Sequence, residues 1–426
     1  MNDLIEFFSF TNPTVRTVVL GTVLIAICSS IVGTYTYLRK RSLVGDVVAH
    51  AIFPGICLGF VLSGSKNPVF LLLGAVFSGW LALLIMDAIV AKTKLKTDTA
   101  LAFVLTFFFG LGTVFLAYIQ KSGSAAQTGL HDFLLGKAAN ITQFDLNVFA
   151  VISVLLIVTV ILFYKVFKLI SFNEEYAASL GYKVRRYRFL LTTMTVIAVA
   201  VGIQAVGVVL MSALLITPAA TARLWTHNLL KLMIIAGVFG ACSGIFGAYI
   251  SFTAVNMPTG PWFVVFLTFF AILSIFIAPK NGILSKMKLK RSNSKKINEE
   301  NVLKTFYNMG EHSGKQNFST QEFLVKRSFI PRVLEKTLRQ LAKQKLVEYN
   351  KGRYHLTDAG ETEAKRIVRL HRLWELYLTK RMNYKDDHIH GLAESMEHII
   401  TPEIEKDLLK ELDYPQQDPH QSKIPY

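Results

Sequence analysis

Cysteine is the first scarcity. Among 426 residues there are three, Cys28, Cys57 and Cys242, each inside an apolar run and none with a Cys-x-x-Cys partner. That excludes a disulfide framework and a cysteine-based metal site. A phosphate-binding loop is also missing. The pattern GxxxxGK followed by Ser or Thr occurs nowhere, and Gly310–Lys315 has the wrong spacing and no following hydroxyl residue. Any ATP-driven work therefore needs a second chain. The N-terminus shows no charged segment ahead of a small-residue cleavage site, so no cleaved signal peptide is expected.

Acidic residues are scarce in one part only. Residues 1–285 hold nine Asp and Glu against 19 Lys and Arg, whereas residues 286–426 hold 20 against 27. The first part is a succession of long apolar runs and the second is dense in charge. This pattern predicts a polytopic membrane domain followed by a soluble, mildly basic one.

After a short interfacial stretch, Met1–Phe10, the runs predict spans near 17–38, 48–63, 69–91, 99–119, 147–169, 189–209, 211–225, 231–252 and 261–279. The pair around Val201–Trp225 is crowded by Gly202, Gly207 and Pro218, which suits short or broken helices. Basic clusters fall at Arg39–Arg41, at Lys92, Lys94 and Lys96, at Lys165–Arg188, at Arg223 and from Lys280 onward. Nine spans put all of them on one side, leaving the N-terminus outside and the C-terminal part in the cytoplasm.

One stretch, Ser42–Gly55, carries ionisable groups into this apolar setting. Asp46 and His50 are four residues apart, so a helix places both on one face. Such a pair inside a span is costly unless it faces a partner or a water-filled path. Carboxylate plus imidazole suits a divalent metal such as Mn, Fe or Zn. The alternatives are an interfacial carboxylate beside Arg39–Arg41 and a neutral histidine bonded to a neighbouring helix.

Phe172–Gly181 reads as a short helix ending at a glycine, followed by Lys183, Arg185, Arg186 and Arg188. It is either a docking element that inserts into a partner's groove or an ordinary basic membrane flank.

Over residues 10–284 the chain resembles the permease subunit of zinc/manganese/iron ABC importers. The ordered motifs are Arg39-Lys-Arg-Ser-Leu-Val-Gly-Asp-Val-Val-Ala-His-Ala-Ile-Phe-Pro-Gly55, Lys96-Thr-Asp-Thr-Ala100, Ala178-Ser-Leu-Gly181, the run Gln204–Arg223, Pro258-Thr-Gly-Pro261 and Ala278-Pro-Lys-Asn-Gly282. The resemblance implies a pair of permeases, from a second copy or a related chain, with two cytoplasmic ATPases and an extracytoplasmic metal-binding protein. Ala177, Ala178, Leu180 and Gly181 would belong to the coupling helix that docks on the ATPase. Asp46 and His50 would line the metal pathway. The chain itself would catalyse no bond chemistry and hold no permanent cofactor.

Ser285–Glu300 is rich in Lys, Ser and Asn and reads as a solvated linker. Beyond it the pattern predicts helices at Asn301–Glu311, Thr320–Lys326 and Arg332–Leu346, then a hairpin over Val347–Thr357 turning at Asn350–Gly352. That is the order of a winged helix-turn-helix. Arg332, Lys336, Arg339 and Lys343 share one face of the third helix, either a phosphate-contacting surface or a solvated amphipathic face.

From Asp358 the chain is helical again. His371 and Glu375 are four apart on one helix, and His390, Glu394, Glu397 and His398 follow on the next. This set is of the O- and N-rich kind that binds Mn, Fe or Zn; a surface helix rich in Glu and His is the alternative. Residues 299–426 resemble the diphtheria-toxin-repressor family of metal-dependent regulators. The matching stretches are Thr357-Asp-Ala-Gly360, Ile367-Val-Arg-Leu-His-Arg-Leu-Trp-Glu375, His390-Gly-Leu-Ala-Glu-Ser-Met-Glu-His398 and Asp418-Pro-His-Gln-Ser-Lys-Ile-Pro425. The resemblance implies that His371, Glu394, Glu397 and His398 are ligands of a regulatory metal, with Glu375 and His390 ancillary. Glu394 is more like the manganese-responsive members. The chain departs at the first helix, where Asn301 and Lys304 stand in place of the family's carboxylates, and it carries no SH3-like third domain.

The expected architecture is thus an all-α polytopic membrane domain of eight or nine transmembrane helices over 1–284 and a linker over 285–300. A small α+β winged-helix domain over 301–358 and a helical metal-sensor-like domain over 359–426 complete it. The expected function is a permease of an ATP-driven importer of Mn, Fe or Zn with a metal-sensing cytoplasmic tail. Alternatives are a permease fused to a metal-dependent DNA-binding repressor, and a siderophore-type importer.

Overall fold

The computed structural model describes residues 2–41, 43–64, 67–121, 141–254, 257–382 and 400–426. It divides into two compact units, Met1–Ser285 and Lys286–Tyr426. The first contains α1 (Asn2–Ser9), α2 (Pro13–Leu38), α3 (Val44–Ser63), α4 (Pro68–Lys92), α5 (Thr97–Lys121), α6 (Gln143–Leu162), α7 (Tyr164–Phe172), α8 (Glu174–Ser179), α9 (Val184–Val206), α10 (Val208–Trp225), α11 (Leu229–Thr253) and α12 (Thr259–Ile277).

Among the described residues, eight helices are long and apolar enough to cross a membrane: α2 to α6, α9, α11 and α12. The ninth apolar helix is α10, shorter and interrupted by Pro218. The crowded pair is therefore two helices, separated where Gly207 adopts φ +88°. The span expected at 147–169 ends earlier, at Leu162. There the helix breaks at Phe163 and resumes as α7.

Helix α3 lies at the centre of this unit, packed against α4, α5 and α10. Val48, Ala49, Ala51, Ile52, Phe53 and Cys57 on it are fully buried. Its crossing with α4 depends on small residues: a Cβ added to Gly55 would lie 2.1 Å from the Gly74 carbonyl oxygen, and one added to Gly74 2.2 Å from that of Gly55. Backbones this close let dispersion contacts replace the hydrophobic drive that lipid does not supply. Ser78 Oγ of α4 also donates to the Ala51 carbonyl at 2.6 Å. The helix that bears Asp46 and His50 is thus fixed along its length.

The second unit begins within α13 (Ile283–Ser313). Here the structure departs from the sequence reading: Ser285–Glu300 is not an irregular linker but part of a 31-residue helix. No Gly or Pro occurs between Gly282 and Gly310, and the Lys, Leu, Ile and Glu in that run are good helix formers, so polarity alone does not melt it. There follow β1 (Asn317–Phe318), α14 (Thr320–Lys326), α15 (Pro331–Lys343), β2 (Val347–Asn350), β3 (Arg353–Leu356), α16 (Asp358–Met382) and α17 (Pro402–Glu411).

The strands form an antiparallel sheet ordered β1-β3-β2, with Phe318 opposite Tyr354 and Asn350 opposite Arg353. Lys351 and Gly352 both have positive φ, as a two-residue hairpin turn requires. Val302, Leu303 and Phe306 of α13 pack with Phe318, Phe323, Leu334, Leu338 and Leu341, and the Phe306 and Phe323 rings meet edge-on at 4.5 Å. The C-terminal segment closes on α16 through buried Ile424 and through Arg372, which reaches Glu311 at 2.6 Å and Asp418 at 3.6 Å.

Candidate functional site

Three groups singled out in the sequence can be placed. The first is on α3, which starts at Val44 and so holds Asp46 in its first turn, where the helix dipole favours a carboxylate. His50 follows one turn later, with its Nε2 3.8 Å from Asp46 Oδ1. While most of α3 is buried, these two side chains remain 39% and 17% exposed. Within Val44–Cys57 they alone are not buried; the helix is exposed again only at Leu58, Val61 and Leu62. The His50 ring meets Phe109 of α5 edge-on at 5.0 Å. Its Nδ1 is buried and has no hydrogen-bond partner among the described residues. Nε2, at 3.8 Å, is beyond hydrogen-bond distance of Asp46. Among the described residues no group of three or more His, Cys, Asp and Glu gathers to hold a metal. Asp46 and His50 offer a carboxylate and an imidazole, donor types a divalent transition metal takes.

The second group is α8. Asn173 caps it by accepting from the Tyr176 N–H at 2.9 Å. At the other end Gly181 takes φ +83°, and its N–H and that of Tyr182 return to the carbonyls of Ala178 and Ala177. This paired closure needs a residue tolerant of the left-handed region. Ala177 is buried, whereas Ala178, Leu180 and Gly181 are exposed together with Tyr176 and Tyr182. An exposed, partly apolar knob of six helical residues results. Glu174 ties it back to the membrane helices, pairing with Arg188 and lying 3.7 Å from Arg39. Arg39 closes the end of α2 and opens the loop into α3. Burial and the neighbouring Arg41 lower its guanidinium pKa to about 10, so it stays charged at neutral pH. Sequence reasoning did not find this Glu174–Arg39 contact, because 135 positions separate partners that share no spacing rule.

The third group is in the second unit. His371 and Glu375 of α16 are brought together, Nε2 to Oε1 at 3.0 Å, and both are buried. His390, Glu394, Glu397 and His398 lie outside the described residues. Lys304 of α13, which the resemblance put in place of a family carboxylate, is brought to this pair: its Nζ sits 2.9 Å from His371 Nδ1. Both ring nitrogens of His371 are therefore engaged, and the described part of this site does not fit a bound metal as it stands. In the same unit, Arg332, Lys336, Arg339 and Lys343 are all exposed on α15, opposite buried Leu334, Leu338 and Leu341.

Comparison with known proteins adds the following. Residues 11–278 match the model of the ABC 3 transport family, and residues 357–426 match that of the iron dependent repressor, metal binding and dimerisation domain. The manganese transport system membrane protein MntC of Bacillus subtilis is 38% identical over 378 residues, covering 87% of this chain and 85% of its own. The zinc transport system membrane protein TroC of Treponema pallidum is 42% identical over 282 residues, 66% of this chain and 95% of its own. Among solved structures, PsaBC from Streptococcus pneumoniae in complex with Fab aligns with a TM-score of 0.61 and 28% identity, covering 67% of this chain and 99% of that one.

Proposed function

The chain belongs to the ABC 3 transport family, and from that premise we propose that it is the membrane permease of an ATP-driven importer of manganese or zinc. Those are the metals named for two transport relatives; iron, which the sequence also admitted, is named for neither. The observation that carries the pathway is the Asp46–His50 pair, part-exposed within the otherwise buried stretch Val44–Cys57, with His50 Nδ1 unpartnered among the described residues. The ion leaves an extracytoplasmic binding protein, enters a cavity between paired permeases, and is passed by Asp46 and His50. Two separate ATPase subunits bind the exposed surface around Ala177, Ala178, Leu180 and Gly181 and drive the alternation of access. The protein crosses the bacterial plasma membrane repeatedly, with its second unit in the cytoplasm. A siderophore-type cargo is disfavoured, because a chelated metal has no need of protein ligands along its path.

The second unit is a metal-responsive regulator of transport in this reading. His371 and Glu375 support it, together with His390, Glu394, Glu397 and His398 from the sequence. A DNA-bound role is the second reading, favoured by the exposed basic face of α15. Uptake of radiolabelled Mn(II) and Zn(II) by cells tests the transport assignment. The variant combining Asp46→Asn with His50→Ala is expected to take up neither metal above the level of cells lacking the gene, while reaching the membrane in normal amount. Unchanged uptake by that variant would remove the pair from the pathway.

A further inference from the structure

Lysine is almost never fully buried unless it is paired, yet Lys304 is 4% exposed on α13, flanked by buried Val302, Leu303 and Phe306. Its ammonium has only donors to offer. At 2.9 Å from His371 Nδ1, it makes that nitrogen the acceptor. The imidazole proton must then sit on Nε2, 3.0 Å from Glu375 Oε1, where it donates to the carboxylate. The result is a buried row in which a fixed cation and a fixed anion bracket a neutral ring. Glu375 is 2% exposed and His371 5%, so the row is screened by protein rather than by water.

A divalent ion bound at His371 needs a ring nitrogen with a free lone pair. In this row the lone pair of Nδ1 is taken by the ammonium and Nε2 carries a proton. We propose that Lys304 is a tethered cation filling the place of a metal in the His371–Glu375 site, so that a divalent ion binds His371 by displacing the lysine. The packing of α13 on α16 then needs no metal. Metal entry breaks the Lys304–His371 link between those helices instead of making one, and it does so only where the free ion outcompetes an intramolecular ligand. Asn301, one turn earlier on the same helix, keeps a buried Oδ1 without a hydrogen-bond partner among the described residues, an acceptor for the ion that arrives. The proposal rests on the reading of the second unit as metal-responsive and states what sets its threshold.

The test is equilibrium binding of Mn(II) to the purified full chain in detergent, resolving the component that His371→Ala removes. Lys304→Gln is expected to tighten that component at least tenfold, Lys304→Glu to tighten it further, and Lys304→Arg, which keeps the cation, to leave it weak. The proposal is overturned if the wild-type component is as tight as that of Lys304→Gln and Lys304→Glu; the metal-responsive reading would survive that result. It is also overturned if no variant shows any His371-dependent component, and in that case the metal-responsive reading falls with it. Should Lys304→Gln fold poorly, the contrast between Lys304→Glu and Lys304→Arg decides the matter alone.

Discussion

Among the described residues two helices carry a histidine and a carboxylate four residues apart, and the two pairs differ in almost everything else. On α3 the Asp46 and His50 side chains stand 3.8 Å apart and partly open, and the ring keeps one nitrogen unpartnered among the described residues. On α16 His371 and Glu375 are 3.0 Å apart, buried, and closed off by the Lys304 ammonium. Spacing puts two groups on one face, but the helices packed around that face decide whether a nitrogen is available to an ion. In the proposed reading the first pair meets a moving cation, while the second is held by a lysine in the place of one.

The sharpest way to break this contrast is to make the same change in both pairs. His50→Ala is expected to abolish metal uptake, and His371→Ala to leave the initial rate at low external metal within about twofold, altering only its decline as the cell fills. Equal losses from both would erase the distinction. Next in size is Lys304→Ala, which leaves buried Nδ1 without the donor it now has. A loss of about 2 kcal/mol in the unfolding free energy of the second unit is expected by denaturant titration, with metal uptake at low supply unaffected. A smaller effect is expected at Glu174. Its carboxylate is partly exposed, so removing its link to Arg39 is worth roughly 1 kcal/mol. Glu174→Gln should slow metal-stimulated ATP hydrolysis by the assembled importer a few-fold while leaving Mn(II) binding to the chain unchanged. Smallest of all, Arg332→Glu with Lys336→Glu should change neither uptake nor metal binding, and would abolish retention on a DNA column if the second unit binds DNA.

Much of this was legible in the sequence because it depends on local pattern. Apolar runs located the membrane helices, Gly207 separated the crowded pair, and Lys351-Gly352 marked the hairpin turn. The Gly181 stop likewise marked the end of α8. What escaped was of two kinds. The stretch Ser285–Glu300 was read by its polarity, although the absence of Gly and Pro was the better guide to its helix. The other misses were partners distant in sequence: Phe109 against His50, Glu174 beside Arg39, and Lys304 on His371. No periodicity connects such residues, since tertiary packing alone brings them together. For Lys304 the resemblance already gave a place beside the regulatory-metal residues, but not its direct contact with the His371 ring.

The difference between the two pairs is open to one direct measurement. Mn(II) added in low amount to the purified full chain can be observed by pulsed electron paramagnetic resonance, which detects the nitrogen of a coordinated imidazole. The account predicts a nitrogen coupling in the wild type that persists in His371→Ala and vanishes in His50→Ala. A coupling that survives His50→Ala and is lost in His371→Ala would contradict it.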